Sequence, residues 1–180
     1  MIQRFEHGGN VYQTSPKGKA WLDFSANINP LGLSPAVRQA LAAHLDQVVH
    51  YPDPAGTALR QALEQAYGVP GGSIVLGNGA AELFYLYMHT FRPQRVLLPV
   101  PSFSEYERAA RAAGAVVDYG YLKEDDGFAF PWKELRQACG QSDCIVLGNP
   151  NNPTGTLAAA DEIMALAEVG ARKGTDILVD

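Results

Sequence analysis

Apolar positions alternate between helix-spaced stripes and short continuous runs along most of the chain. After Ser34-Pro35, which suits an N-cap followed by a first-turn proline, Val37, Leu41, Leu45 and Val48 form one stripe and predict a helix. His44 falls beside that stripe, on the helix surface. Tyr51-Pro52-Asp53-Pro54 breaks the pattern, and a second helix is predicted from Thr57 to Tyr67, with Leu59, Leu63 and Ala66 inward and Gly68 as its stop. Five runs of β character follow, at 73–76, 95–98, 115–119, 143–147 and 176–179. Helical patterns near 80–90, 104–113, 131–138 and 158–173 separate them, with Gly114 and Gly174 where C-terminal caps belong. Strand and helix in alternation, with strands apolar throughout, predict a three-layer α/β/α fold around a mostly parallel sheet.

Residues 1–33 read differently. His7-Gly8-Gly9-Asn10 is a polar turn, the stretch through Trp21-Leu22-Asp23-Phe24 is hairpin-like, and Ser25 to Gly32 is rich in turn formers. The expected organisation is an amino-terminal arm over 1–33 and an α/β domain over 34–180. A composition of 47% hydrophobic and 18% charged residues is that of a globular chain, and a net charge of −5 argues against a nucleic-acid or anionic-membrane surface. No apolar run is long enough to span a bilayer, and Met1 to His7 lacks a signal-peptide core. Cys139 and Cys144 lack CxxC spacing and read as reduced cysteines of a cytoplasmic chain.

In a parallel sheet, ligands bind at the carboxyl ends of the strands. Four stretches end strands here. Gly77-Asn78-Gly79 opens directly into a helix, whose first N–H groups suit a phosphate, although a ligand-free glycine turn has the same signature. Phe103, in a proline-flanked loop, can stack on a flat heterocycle or simply fill the core. Asn149-Pro150-Asn151-Asn152-Pro153-Thr154-Gly155 is a stiffened turn that offers the Asn152 amide, or is a turn and nothing more. Asp180 ends an apolar strand, where it can hold a protonated ring nitrogen or cap the next turn. Together a phosphate cradle, a stacking ring, an amide and a carboxylate match one phosphorylated, positively charged heteroaromatic, which pyridoxal phosphate is.

The succession His7-Gly8-Gly9-Asn10, Phe24 to Gly32, Tyr51-Pro52-Asp53, Gly77 to Glu82, Pro101-Ser102-Phe103-Ser104-Glu105-Tyr106 and Asn149 to Gly155 resembles the fold-type I pyridoxal-phosphate enzymes. Within them it is most similar to the threonine-phosphate decarboxylases of cobalamin synthesis, with the histidinol-phosphate aminotransferases as near relatives. The resemblance implies that Gly79, Ala80 and Ala81 bind the cofactor phosphate through backbone N–H groups and that Phe103 stacks on its ring. It implies Asn152 on the ring's 3-oxygen and near the substrate, Asp180 on the ring nitrogen, and Tyr51 on the cofactor phosphate of the neighbouring subunit in a homodimer. His7, Gly8 and Asn27 are then expected to hold the phosphate or carboxylate of a small phosphorylated amino-acid substrate.

No lysine matches the family's Schiff-base position. Lys17, Lys19, Lys123, Lys133 and Lys173 all read as surface residues, so no catalytic residue is assigned. No metal site is expected. The resemblance places that lysine beyond Asp180, which makes the chain the amino-terminal portion of a longer enzyme, with about five of seven large-domain strands. The first of the five is then expected to stand apart from the other four, with open sheet edges.

Overall fold

The structure, a computed structural model, describes residues 8, 9, 11, 12 and 22–180. Its packing divides the chain into two units, Met1–Ile74 and Val75–Asp180.

In the first unit, α1 spans Pro35–Ala43 and a 3-10 helix spans Leu45–Val49. Helix α2 runs over Thr57–Tyr67 and ends on Gly68 in the left-handed region. The Ser34 hydroxyl caps α1 by accepting from Val37 N–H, as the Ser-Pro start implies. The expected stripe is interrupted at His44, which closes α1, and its ring Nδ1 lies 2.8 Å from the Ala40 carbonyl. None of α1, the 3-10 helix or α2 has a buried residue. Leu59 and Ala66, expected to face inward, are exposed, and only Leu63 is half-buried. An apolar stripe is buried only when a second layer packs on it, and this unit has no sheet among its described residues. Residues 22–24 form no strand, and Trp21, the rest of that hairpin-like reading, lies outside the described residues.

The second unit holds the expected α/β architecture. Helix α3 (Gly79–Phe91) leads to β1 (Arg95–Val100), α4 (Ser104–Ala112) to β2 (Val116–Tyr121), α5 (Trp132–Ala138) to β3 (Cys144–Leu147) and α6 (Ala160–Lys173) to β4 (Asp176–Val179). The strands lie in the order β2-β1-β3-β4, and every pair is parallel. Central β3 is buried at all four positions. Its Cys144 and Val146 join Phe84, Met88, Tyr106 and Ala109 of α3 and α4 in one core. Its Ile145 and Leu147 join Leu135 of α5 and Leu166 of α6 in the other. That alternation, two hydrophobic faces on one short strand, is why the strand reads as an unbroken apolar run.

The sheet is built from four of the five expected runs, and the run at 73–76, expected to stand apart, is not part of it. Residues 73–76 make no ladder, and Val75 is exposed. A strand is stabilised by its neighbour's ladder hydrogen bonds, and this run has no neighbour among the described residues. The flanks also depart from the expectation of a sheet covered on both faces, because Tyr121 on β2 and Val179 on β4 are exposed. Gly174, at φ 73°, caps α6 as read from the sequence, whereas α4 is capped by Ala113 and Gly114, at φ 88°, is the residue after it.

Candidate functional site

Each helix of the second unit precedes its strand and runs antiparallel to it, so the α3 and α4 amino termini and the β1, β3 and β4 carboxyl ends share one end of the sheet. Two of the expected residues, Phe103 and Asp180, meet there around one side chain to which the sequence assigned no role. Tyr106, on the first turn of α4, is 1% exposed. Its ring lies edge-on to Phe103 at 5.6 Å and to Phe84 of α3 at 4.9 Å. Its hydroxyl donates to Asp180 Oδ2 at 2.6 Å. Tyr106 thus links the stacking candidate, the helix behind the phosphate candidates and the carboxylate. Burial, then the Asp180 carboxylate, push the hydroxyl's pKa well above the ordinary tyrosine range, so it remains a donor.

Asp180 is exposed, with its main chain fixed on both sides. Its N–H donates to the Leu147 carbonyl and its carbonyl accepts from Asn149 N–H, each at 2.9 Å, which extends the β3–β4 ladder to the last residue. Phe103 is half-buried, at the N-cap of α4, and packs against the core.

At the start of α3, Gly79 adopts φ +82° and its N–H turns back to the Gly77 carbonyl at 3.0 Å. Of the three amides expected to bind phosphate, this one is engaged within the turn. Ala80 and Ala81 lie in the first helical turn, where N–H groups have no acceptor inside the helix. Glu82 Oε2 accepts from Asn78 N–H at 2.5 Å and from the Asn78 side chain at 3.2 Å, closing the turn as a carboxylate cap. A Cβ at Gly77 would meet the Leu83 side chain at 2.9 Å and Glu82 Oε2 at 3.1 Å, so a side chain there would have to displace the Glu82 carboxylate that closes the turn.

The Asn149–Gly155 turn divides its work among three asparagines. Asn149 Oδ1 accepts from Ala158 N–H at 2.9 Å. Asn151, 2% exposed, donates to the Pro101 carbonyl at 3.0 Å and to Thr154 Oγ1 at 2.8 Å, tying the turn to the loop that carries Phe103. Its Oδ1 is buried without a hydrogen-bond partner. Asn152 is exposed, and among the described residues its amide makes no hydrogen bond. The sequence signal was the repeated Asn itself. Only packing says which amide holds the turn and which faces out.

The remaining expected residues belong to the first unit. Gly9 N–H donates to Ser25 Oγ at 2.8 Å, and a Cβ on Gly8 would fall 1.8 Å from the Ser25 carbonyl oxygen, so Gly8 lies against the Ser-Ala-Asn stretch that carries Asn27. His7 lies outside the described residues. Tyr51 is fully exposed. Its neighbour Asp53 accepts from Ala55 N–H at 2.9 Å and Thr57 N–H at 2.8 Å, so one part of the Tyr-Pro-Asp motif caps the start of α2. These bonds hold the Asp53 carboxyl below its ordinary pKa. Lys123, Lys133 and Lys173 are exposed, and Lys17 and Lys19 lie outside the described residues. Lys123 follows β2, three strands from β4, roughly 14 Å at the usual strand spacing.

A family model, Aminotransferase class I and II, matches residues 19–180. A threonine-phosphate decarboxylase of Salmonella typhimurium is 34% identical over 178 residues, covering 97% of this chain and 49% of that protein. Among solved structures, the histidinol-phosphate aminotransferase of Clostridium acetobutylicum matches with a TM-score of 0.80 at 30% identity, over 89% of this chain and 46% of that one. L-threonine-O-3-phosphate decarboxylase of Porphyromonas gingivalis matches with a TM-score of 0.67 at 34% identity, over 81% and 42%. The chain therefore spans about half the length of the relatives it matches.

Proposed function

Since the chain belongs to the aminotransferase class I and II family, whose members use pyridoxal phosphate, we propose that it is the amino-terminal part of a threonine-phosphate decarboxylase. The reaction is removal of the carboxylate of L-threonine O-3-phosphate as CO2, leaving 1-aminopropan-2-yl phosphate. One observation carries the cofactor part of this reading: an exposed carboxylate, Asp180, closes a strand beside a half-buried aromatic ring and a helix amino terminus, the set that a phosphorylated pyridinium requires.

The residues present fit that group. The Ala80 and Ala81 amides bind its phosphate with the dipole of α3 behind them. Phe103 covers one face of its ring, Asn152 donates to its 3-oxygen, and Asp180 keeps its ring nitrogen protonated. When bound, the cofactor supplies an electron sink for the pair that CO2 leaves behind. Gly8 and Asn27, with His7, hold the substrate's phosphate or carboxylate, and Tyr51 reaches the cofactor phosphate of a second copy in a homodimer.

The coverage of 97% of this chain by a threonine-phosphate decarboxylase favours decarboxylation. The higher TM-score to a histidinol-phosphate aminotransferase keeps amino transfer as the second reading. A polypeptide carrying this chain together with the segment by which the relatives exceed it separates the two. Release of CO2 from L-threonine O-3-phosphate, with no amino transfer from histidinol phosphate, is expected. Amino transfer without CO2 release would overturn the decarboxylase reading.

A further inference from the structure

Strand β4 carries an aspartate at each end, and each accepts a hydrogen bond from a tyrosine. Tyr87 of α3 donates to Asp176, which begins the strand. Tyr106 of α4 donates to Asp180, which follows it. The first pair lies at the amino end of the sheet, away from every candidate ligand residue. The second lies among them. Chemically similar pairs at opposite ends of one strand allow an anchoring role to be separated from a role at the site.

We propose that Tyr106 is a positioning residue for Asp180: it occupies Oδ2 and so aims Oδ1 at the protonated ring nitrogen of the cofactor. This rests on the cofactor reading above. Almost every other freedom of Asp180 is already removed. Its N–H and carbonyl are in the ladder, and among the described residues Oδ1 has no hydrogen-bond partner. The tyrosine itself is held by edge contacts to Phe84 and Phe103. Gly148, at the end of β3, leaves the space the hydroxyl needs, since a Cβ there would come 3.1 Å from Tyr106 Oη. Burial keeps the hydroxyl protonated, so it donates at every pH at which the fold persists. A carboxylate with one oxygen fixed presents the other in one direction, whereas a free one samples rotamers that miss the ring nitrogen.

Pyridoxamine phosphate, which needs no lysine to bind, is the probe. Labelled with 15N in its ring, it is titrated into the 180-residue chain as wild type, Tyr106→Phe, Asp180→Asn, the double variant and Tyr87→Phe. Affinity and the ring-nitrogen chemical shift are both read. Tyr106→Phe is expected to weaken binding on the order of tenfold and to move the shift from the protonated towards the neutral ring. Tyr87→Phe is expected to match wild type in both. The double variant is expected to bind no more weakly than Asp180→Asn, because the tyrosine acts only through that carboxylate. Gly148→Ala, which crowds Oη without removing it, is expected to weaken binding as well and serves if Tyr106→Phe fails to fold.

Wild-type binding and shift in Tyr106→Phe would overturn the proposal. So would an equal loss in Tyr87→Phe, which would mark strand anchoring, or a further loss in the double variant. Failure of the underlying reading has a different signature: wild type binds no probe, or Asp180→Asn binds like wild type, and the inference then falls with it.

Discussion

A methyl group on Gly148 would lie 3.1 Å from Tyr106 Oη, 3.2 Å from Asn151 Oδ1 and 3.3 Å from Asn151 Cα. Two of these neighbours are buried side-chain atoms and the third is backbone, so little can yield. Gly148→Ala should cost about 1–3 kcal/mol in urea unfolding, as overpacking does. Titration separates residues in the same way. Tyr87 and Tyr106 both have pKa values raised chiefly by burial and then by their aspartates. A group whose folded pKa is raised contributes stability that is complete below its unfolded value, about 10 for tyrosine, and is lost as pH rises through the folded value. Unfolding should therefore set in above about pH 10, and Tyr106→Phe should flatten that alkaline limb. Burial pushes the Cys144 thiol up to about 12. It should resist iodoacetamide at neutral pH and react only after unfolding, a result mass spectrometry reads directly. None of these properties was visible residue by residue. Tyr106 ends the Pro101–Tyr106 motif, yet its partner is 74 positions away, and only the parallel pairing of β3 and β4 brings the two together.

At the scale of elements, the helices were the most legible part. Caps are local chemistry: Ser34 on α1, Gly68 on α2 and Gly174 on α6 sit where the sequence places them. Asp53 adds one more, and because its carboxyl is held below the ordinary range by Thr57 and Ala55 N–H groups, its contribution is present at neutral pH and lost as pH falls through the folded value. The protection factors at Ala55 and Thr57, that is, exchange rates corrected for the intrinsic pH dependence, should fall on acidification, and equally in Asp53→Ala at neutral pH. The α6–β4 packing rests on Gly170, where a Cβ would meet the Thr175 carbonyl oxygen at 2.5 Å and Ile177 at 3.2 Å. Gly170→Ala should destabilise the second unit by about 2–3 kcal/mol despite alanine's better helix propensity, with thermal unfolding as the measurement. The run at 73–76 shows the limit of pattern reading, because apolar β-branched character is a property of the segment and a ladder is a property of two.

Across the whole molecule, the two units differ in what their apolar residues meet. In the second, β3 and its flanking helices bury two cores. In the first, Phe24, Leu31, Val48 and Tyr51 are 75% exposed or more. Apolar surface of that kind binds hydrophobic dyes. The 180-residue chain should enhance the fluorescence of such a dye at neutral pH, and substituting Phe24, Leu31 and Val48 by serine should reduce the signal. Among the described residues no helix is long and apolar enough to cross a membrane, and no cluster of three or more metal-ligating side chains occurs.

The sequence by itself determined what is local or periodic: helix starts and stops, the alternation that makes a parallel three-layer sheet, and the turns at the strand ends where chemistry could collect. Those follow from backbone sterics, capping and side-chain spacing, which act within a few residues. Tertiary structure decided the rest. It settled which apolar runs found a partner, which asparagine of Asn149–Gly155 became the buried tie and which the exposed amide, and that Asp180 is held by Tyr106. Each of these depends on a group far along the chain, because a hydrogen bond or a buried face requires two surfaces and a sequence pattern describes one.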